Sequence, residues 1–175
     1  MTDVFATLNR MDEVSFIQTF GMLYEHSPWI AREAFSKGPF TDRTRLLAAF
    51  RQIVAEAPEE KQFILVREHP ELARRAGVDE TLTRASQAEQ ASAGLDRLTP
   101  EEYVRFNMLN DAYRERFAMP FVICVRRSDK SLILSEMARR GKNTTEAELR
   151  TALTEIDKIA ALRCTDVLKN LESKS

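Results

Sequence analysis

Apolar residues recur along this chain at intervals of three and four with polar residues between them, the spacing of amphipathic helices rather than strands. The fold class expected is therefore all-α. From Asn9 onward, Val14, Phe16, Ile17, Phe20 and Tyr24 share one stripe, which predicts a helix ending near Glu25. Ser27 before Pro28 reads as an N-cap with proline at the first helical position, opening a short helix through Trp29 and Phe35 that stops at Lys37, Gly38 and Pro39. Thr41 is expected to cap a longer helix with Leu46, Leu47, Phe50, Ile53 and Val54 facing inward as far as Pro58. After it, Phe63, Ile64, Leu65 and Val66 lead into His69. Between Leu72 and Ser86 the composition turns polar, as in a surface connection.

Ser86 and Glu89 have the spacing of a capping box, and Gly94 marks the end of the helix they would open. Thr99, Pro100 and Glu102 form a second capping box, heading a long helix with Tyr103, Phe106, Leu109, Tyr113 and Phe117 inward. That helix must break before Met119 and Pro120, because the residue preceding proline avoids the helical region. Phe121, Val122, Ile123, Cys124 and Val125 then form the one run with strand character, short and without a partner strand. Ser128 is expected to cap a helix carrying Leu132, Ile133 and Met137 as far as Gly141. Thr145 and Glu148 have the spacing of a box opening a terminal helix with Leu149, Leu153, Ile156, Ala160 and Val167 inward.

At 175 residues and 43% hydrophobic the chain is long enough for a continuous core, and 1–175 reads as one domain. Lys plus Arg number 26 against 27 Asp plus Glu, without a basic stripe, which argues against nucleic acid and toward a small-molecule or protein partner. Cys124 and Cys164 are far apart with no paired spacing, so neither a disulfide framework nor a zinc site is indicated and a reducing, cytoplasmic setting is expected. No basic leader precedes an apolar run and no stretch approaches the length of a membrane span, so neither secretion nor membrane embedding is expected.

Three features carry candidate chemistry. His69 precedes Pro70, which places it at an element boundary, and a histidine titrating near pH 6.5 can move protons at neutral pH. The backbone groups of residues 121–125 need partners, which makes the run either a buried connector or a ligand-binding edge. Arg163 falls on the inward stripe of the last helix: at about 100° per residue it lies within roughly 40° of Leu149 and Val167. A guanidinium so placed needs either a carboxylate such as Glu25 or Glu89, or an anionic ligand; the other arginines are expected to be solvated. His26, just before Ser27 and Pro28, reads as part of a helix entry, and no further ligands at metal-binding spacing accompany it.

The ordered series Leu8-Asn9, Tyr24-Glu25-His26-Ser27-Pro28-Trp29, His69-Pro70-Glu71-Leu72, Ser86-Gln87-Ala88-Glu89-Gln90, Phe106 to Asn110 with Tyr113, Pro120-Phe121-Val122-Ile123-Cys124 and Glu148-Leu149 through Arg163 resembles the 2-oxo-4-hydroxy-4-carboxy-5-ureidoimidazoline (OHCU) decarboxylases. The resemblance covers nearly the whole chain and implies conversion of that compound to (S)-allantoin in urate breakdown, with no cofactor and no metal, by a homodimer. It implies catalytic roles for His69, Glu89 and Arg163. It also implies a substrate-binding shell of Pro70, Ser86, Gln87, Gln90, Phe121, Val122, Ile123, Cys124 and Val125. The chain departs from the family pattern at Ala118 and at Arg74, where the family carries glycine. Two other readings follow from the same residues: a sister decarboxylase with a different ureido or imidazoline substrate, and a non-catalytic helical interaction protein.

Overall fold

The computed structural model describes residues 3–73 and 82–174, and among them it holds nine α-helices, one 3-10 turn and no strand. Most of the surface connection expected before Ser86, at 74–81, lies outside the described residues. The chain divides into two compact units, residues 1–65 with 157–175, and residues 66–156.

The first unit contains α1 (Val4–Leu8), α2 (Glu13–Phe20), α3 (Trp29–Phe35), α4 (Arg43–Glu56), most of α5 (Glu59–Arg67) and the second half of α9 (Thr145–Ser173). The helix expected from Asn9 to near Glu25 is shorter, running only from Glu13 to Phe20, because the Asp12 carboxylate accepts the Ser15 amide at 2.8 Å and starts it there; α1 lies before Asn9. That register buries Phe16 and Phe20 and leaves Val14, half a turn away, 63% exposed. Asp42 rather than Thr41 caps α4, and Ser27 makes no side-chain cap, since α3 begins behind Pro28. The core is aromatic: Phe16 contacts Phe20, Phe35, Phe40 and Phe50 at centroid separations of 4.8 to 6.5 Å, and Tyr24 joins through Phe50 at 5.8 Å. The Asn9 amide closes this core by accepting from the Phe40 N–H and donating to the Phe40 carbonyl.

The second unit contains the end of α5, α6 (Arg84–Ser92), α7 (Pro100–Phe117), the 3-10 turn Val125–Arg127, α8 (Lys130–Arg140) and the first half of α9. The Thr99 capping box is present, with proline at the start of α7. Gly94, at φ 78°, ends the α6 region while the Leu95 amide returns to the Gln90 carbonyl, so a left-handed residue closes the turn as its position predicts. Gly141 stops α8 in right-handed geometry, φ −56°, and needs no glycine on that account. Asp129 caps α8 in place of Ser128, and the Thr144 hydroxyl accepts the Ala147 amide at the head of α9. Glu148 is thereby free of the capping duty expected of it and turns inward, where it is 0% exposed.

Candidate active site

α6 organises the polar face of the second unit. Its N-cap is Thr83, whose hydroxyl accepts the Ser86 amide at 3.2 Å, so the capping box expected of Ser86 and Glu89 does not form. Ser86 sits a turn inside the helix and is buried, Glu89 is half-buried, and the two share a face at three-residue spacing. Gln87 and Gln90 lie on the adjoining face and line a cavity of about 480 Å³ together with Leu95, Thr99, Tyr103 and Val104; His69, Ser86 and Glu89 are not among its walls.

His69 follows α5 directly, its amide returning to the Val66 carbonyl, and is 7% exposed. The segment after it is clamped from two helices. The Gln90 amide accepts the Ala73 N–H at 3.0 Å and donates to the Glu71 carbonyl at 3.4 Å. From α7, Asn110 donates to the Leu72 carbonyl at 2.9 Å and Arg114 pairs with the Glu71 carboxylate at 2.8 Å. Ala73 is held at φ 60°, so the chain turns sharply just beyond the histidine. A buried imidazole whose flanking backbone is tied at three successive residues has little freedom to wander.

The run at 121–125 is not a strand. Residues 121–124 are irregular and Val125 opens the 3-10 turn, which packs against α6. The partners expected to be needed include three side chains: the Val122 carbonyl accepts from Arg140 at 2.9 Å, the Cys124 N–H donates to Glu155 at 3.0 Å, and the Cys124 carbonyl accepts from the Ser128 hydroxyl at 3.1 Å; the Arg127 and Ser128 amides close the turn onto the Cys124 and Val125 carbonyls. Burial, with the Glu155 charge next and a smaller contribution from Glu89, raises the Cys124 thiol above its ordinary value; Arg127 opposes them. Residues 69–73, one face of α6 and residues 121–125 are thus gathered in one unit, with Gln90 tying α6 to the first segment and the 3-10 turn packing α6 on the last.

Arg163 belongs to the first unit and is buried, as its place on the stripe requires. Its Nη2 donates to Glu25 at 2.6 Å, and its Nη1 reaches the Met22 and Leu23 carbonyls at 3.4 Å. Glu25, at 0% exposure and φ 28°, is the carboxylate partner that the burial of a guanidinium demands.

One buried arginine was not anticipated. Arg140 is 1% exposed, not solvated, and pairs with Glu148 at 2.9 Å. The signal was there: Arg140 follows Ile133 and Met137 on the inward stripe of α8, and Glu148 precedes Ala152, Ile156 and Ala160 at four-residue steps on α9, the argument that singled out Arg163. Among the described residues no three His, Cys, Asp or Glu side chains are grouped to hold a metal ion.

Residues 9–165 match the family model described as OHCU decarboxylase. The 2-oxo-4-hydroxy-4-carboxy-5-ureidoimidazoline decarboxylase of Haloferax volcanii is 45% identical over 156 residues, covering 89% of this chain and 90% of that one. The mouse (Mus musculus) protein of the same name is 42% identical over 161 residues, covering 92% and 90%. Among solved structures, an (S)-allantoin synthase superposes with a TM-score of 0.75 at 26% identity over 93% of this chain, which spans 53% of that longer one. These relatives make the helical chain a carboxy-lyase by class. It belongs to the OHCU decarboxylase family.

Proposed function

We propose that this chain converts 2-oxo-4-hydroxy-4-carboxy-5-ureidoimidazoline to (S)-allantoin in urate breakdown, with His69 and Glu89 as the reacting pair. What supports the reading is the family match over residues 9–165 together with the buried His69 and Ser86 and the half-buried Glu89 lying in one compact unit. In this substrate one ring carbon bears both hydroxyl and carboxylate and adjoins a C=N unit. As the carboxylate bond breaks, carbon dioxide leaves and the electron pair passes into that unit. The nitrogen of that unit takes up a proton, the hydroxyl gives up its own to become the ring carbonyl, and the neighbouring ureido-bearing carbon takes a proton on one face, so that one proton is drawn from solvent overall. No external electron acceptor enters, so the chemistry asked of the protein is proton transfer and orientation.

His69 accepts the hydroxyl proton or holds the reacting group, and it helps return a proton to a single face, a contribution of roughly a hundred- to ten-thousand-fold in rate. Glu89 orients the ureido or hydroxyl group, with Pro70, Ser86, Gln87 and Gln90 around it. Arg163, matching the family's site arginine, binds substrate oxygens with a charge that Glu25 holds in place. The backbone of residues 121–125 sets the plane of the ring. A homodimer in the cytoplasm completes the reading: the two cysteines are both free and buried, in keeping with a reducing compartment, and no described helix is long and apolar enough to cross a membrane.

The test is circular dichroism of a coupled reaction in which urate oxidase and hydroxyisourate hydrolase generate the unstable substrate. The optical signal of (S)-allantoin is expected to rise well ahead of the spontaneous rate and to fall at least a hundredfold in the His69→Ala protein with its helical spectrum unchanged. A racemic product at the spontaneous rate refutes the reading. Substantial activity in His69→Ala removes the histidine from its role.

A further inference from the structure

Ile123 is the residue on which the irregular segment turns. Among the described residues neither its N–H nor its carbonyl has a hydrogen-bond partner, although the residue is 7% exposed. Both of its peptide units are nevertheless anchored from the far side. In a trans peptide the carbonyl and the N–H of one unit point in opposite directions. Arg140 Nη1 draws the Val122 carbonyl toward itself at 2.9 Å, so the Ile123 N–H in the same unit points away from Arg140. Glu155 draws the Cys124 N–H at 3.0 Å, so the Ile123 carbonyl in that unit points away from Glu155. One donor and one acceptor on a single residue, both fixed in direction, match the N–H and C=O of a ureido group or a cyclic amide edge.

The anchor on the donor side is itself held by a buried ion pair, in which Arg140 Nε makes the hydrogen bond and Nη2 makes none. Arg140 Nε and Nη2 lie 3.0 and 2.9 Å from Glu148 Oε2, which also accepts from the Tyr113 hydroxyl, while Glu148 Oε1 accepts from Asn143 at 2.8 Å. The guanidinium lies 4.3 Å from the Phe121 ring centroid, so the same group holds the residue on the other side of Val122. Burial and the bond to Glu148 both raise the Tyr113 hydroxyl above its ordinary value, which keeps it a donor. A buried ion pair adds little stability over an apolar pair of the same volume, whereas it fixes direction.

We propose that Arg140, oriented by Glu148 and Tyr113, and Glu155 are positioning residues that aim the Ile123 N–H and C=O at the ureido or ring-amide edge of the substrate. This rests on the function proposed above and adds to it the groups that select for a ureide. None of the four side chains touches the reacting carbon; each acts through backbone.

The experiment compares the unaltered protein with the double variant Arg140→Met/Glu148→Gln, which removes both buried charges together and so leaves neither uncompensated. Losing the aim of one donor is expected to raise KM in the coupled assay roughly tenfold, the worth of one hydrogen bond, while kcat falls less than threefold. The dissociation constant of (S)-allantoin measured by calorimetry should rise by a similar factor. Arg140→Lys, which keeps a donor for the Val122 carbonyl, should recover part of the loss. A fall in kcat in proportion to the folded fraction, with KM unchanged, assigns the cluster to stability alone and overturns the proposal. Should the double variant not fold, Glu155→Ala against Glu155→Gln gives the same reading from a half-exposed position: the alanine raises KM several-fold and the glutamine, which still accepts the Cys124 N–H, does not. Equal KM for the two overturns it. If the unaltered chain itself shows no turnover, the proposed function fails first and takes this inference with it, an outcome distinct from an active enzyme with an unmoved KM.

Discussion

Asp157, on α9 in the first unit, should make the protein less stable as pH rises through the weakly acidic range. Burial pushes its carboxyl from the ordinary 3.8 up to about 6, against a smaller opposing pull from Arg51 at 3.6 Å. Its Oδ1 is buried with no hydrogen-bond partner among the described residues, and Tyr24 and Cys164 lie in the same neighbourhood. A carboxyl raised in the folded state binds its proton more tightly there than in the unfolded chain. Its favourable contribution is therefore complete below about pH 3.8 and is lost as pH climbs through about 6. A shift of about two units corresponds to about 3 kcal/mol. Since the side chain keeps 23% of its exposure, about 2 kcal/mol is the working figure. Asp157→Asn, which cannot ionise, should be more stable than the parent by that amount at pH 8, a shift of about 1 M in the urea midpoint at a typical slope. The advantage should shrink through pH 6 and nearly vanish at pH 4. Urea titrations followed by helical circular dichroism at pH 4, 6 and 8 measure it. A difference independent of pH, or an asparagine variant less stable at pH 8, refutes the reasoning.

Two further outcomes follow from local geometry. Ala118 closes α7 at φ 55°, a conformation that costs an L-residue about 1–2 kcal/mol, so Ala118→Gly should raise stability by about 0.5–1 kcal/mol after the added flexibility of the unfolded chain is subtracted, measurable by urea unfolding. Thr83→Ala should cost about 1 kcal/mol by removing the α6 cap, whereas Ser86→Ala should leave the helix intact and lower kcat/KM about tenfold in the coupled assay. The reverse pattern would return Ser86 to a capping role.

Much of this protein is legible along the chain. The three- and four-residue period establishes the all-α class because each helix must present one apolar stripe to a core, and that requirement acts locally. It also predicts that Arg163 is buried, since position on a helix follows from residue number alone. The break of α7 ahead of Met119 and Pro120 and the Thr99 box are likewise statements about adjacent residues, and the structure contains both. The motif order is enough to indicate the family.

Caps with competing candidates a residue apart were not legible. Asp42 stands beside Thr41, Asp129 beside Ser128 and Thr144 beside Thr145, and the choice falls to whichever side chain meets the N3 amide once the helix register is set by packing. Val14 is a different case: two residues from Phe16, it lies about 200° round the helix from that ring and faces solvent once Phe16 and Phe20 pack inward. The partners of buried charges lie deeper still. Arg163 finds Glu25 across 138 residues of sequence, and Arg140 finds Glu148 with Tyr113 contributed by another helix. Periodicity says that a guanidinium faces inward, because that depends on its own helix. Which carboxylate meets it, and which backbone carbonyl its last N–H holds, depend on where other helices are packed, and that only the tertiary structure decides.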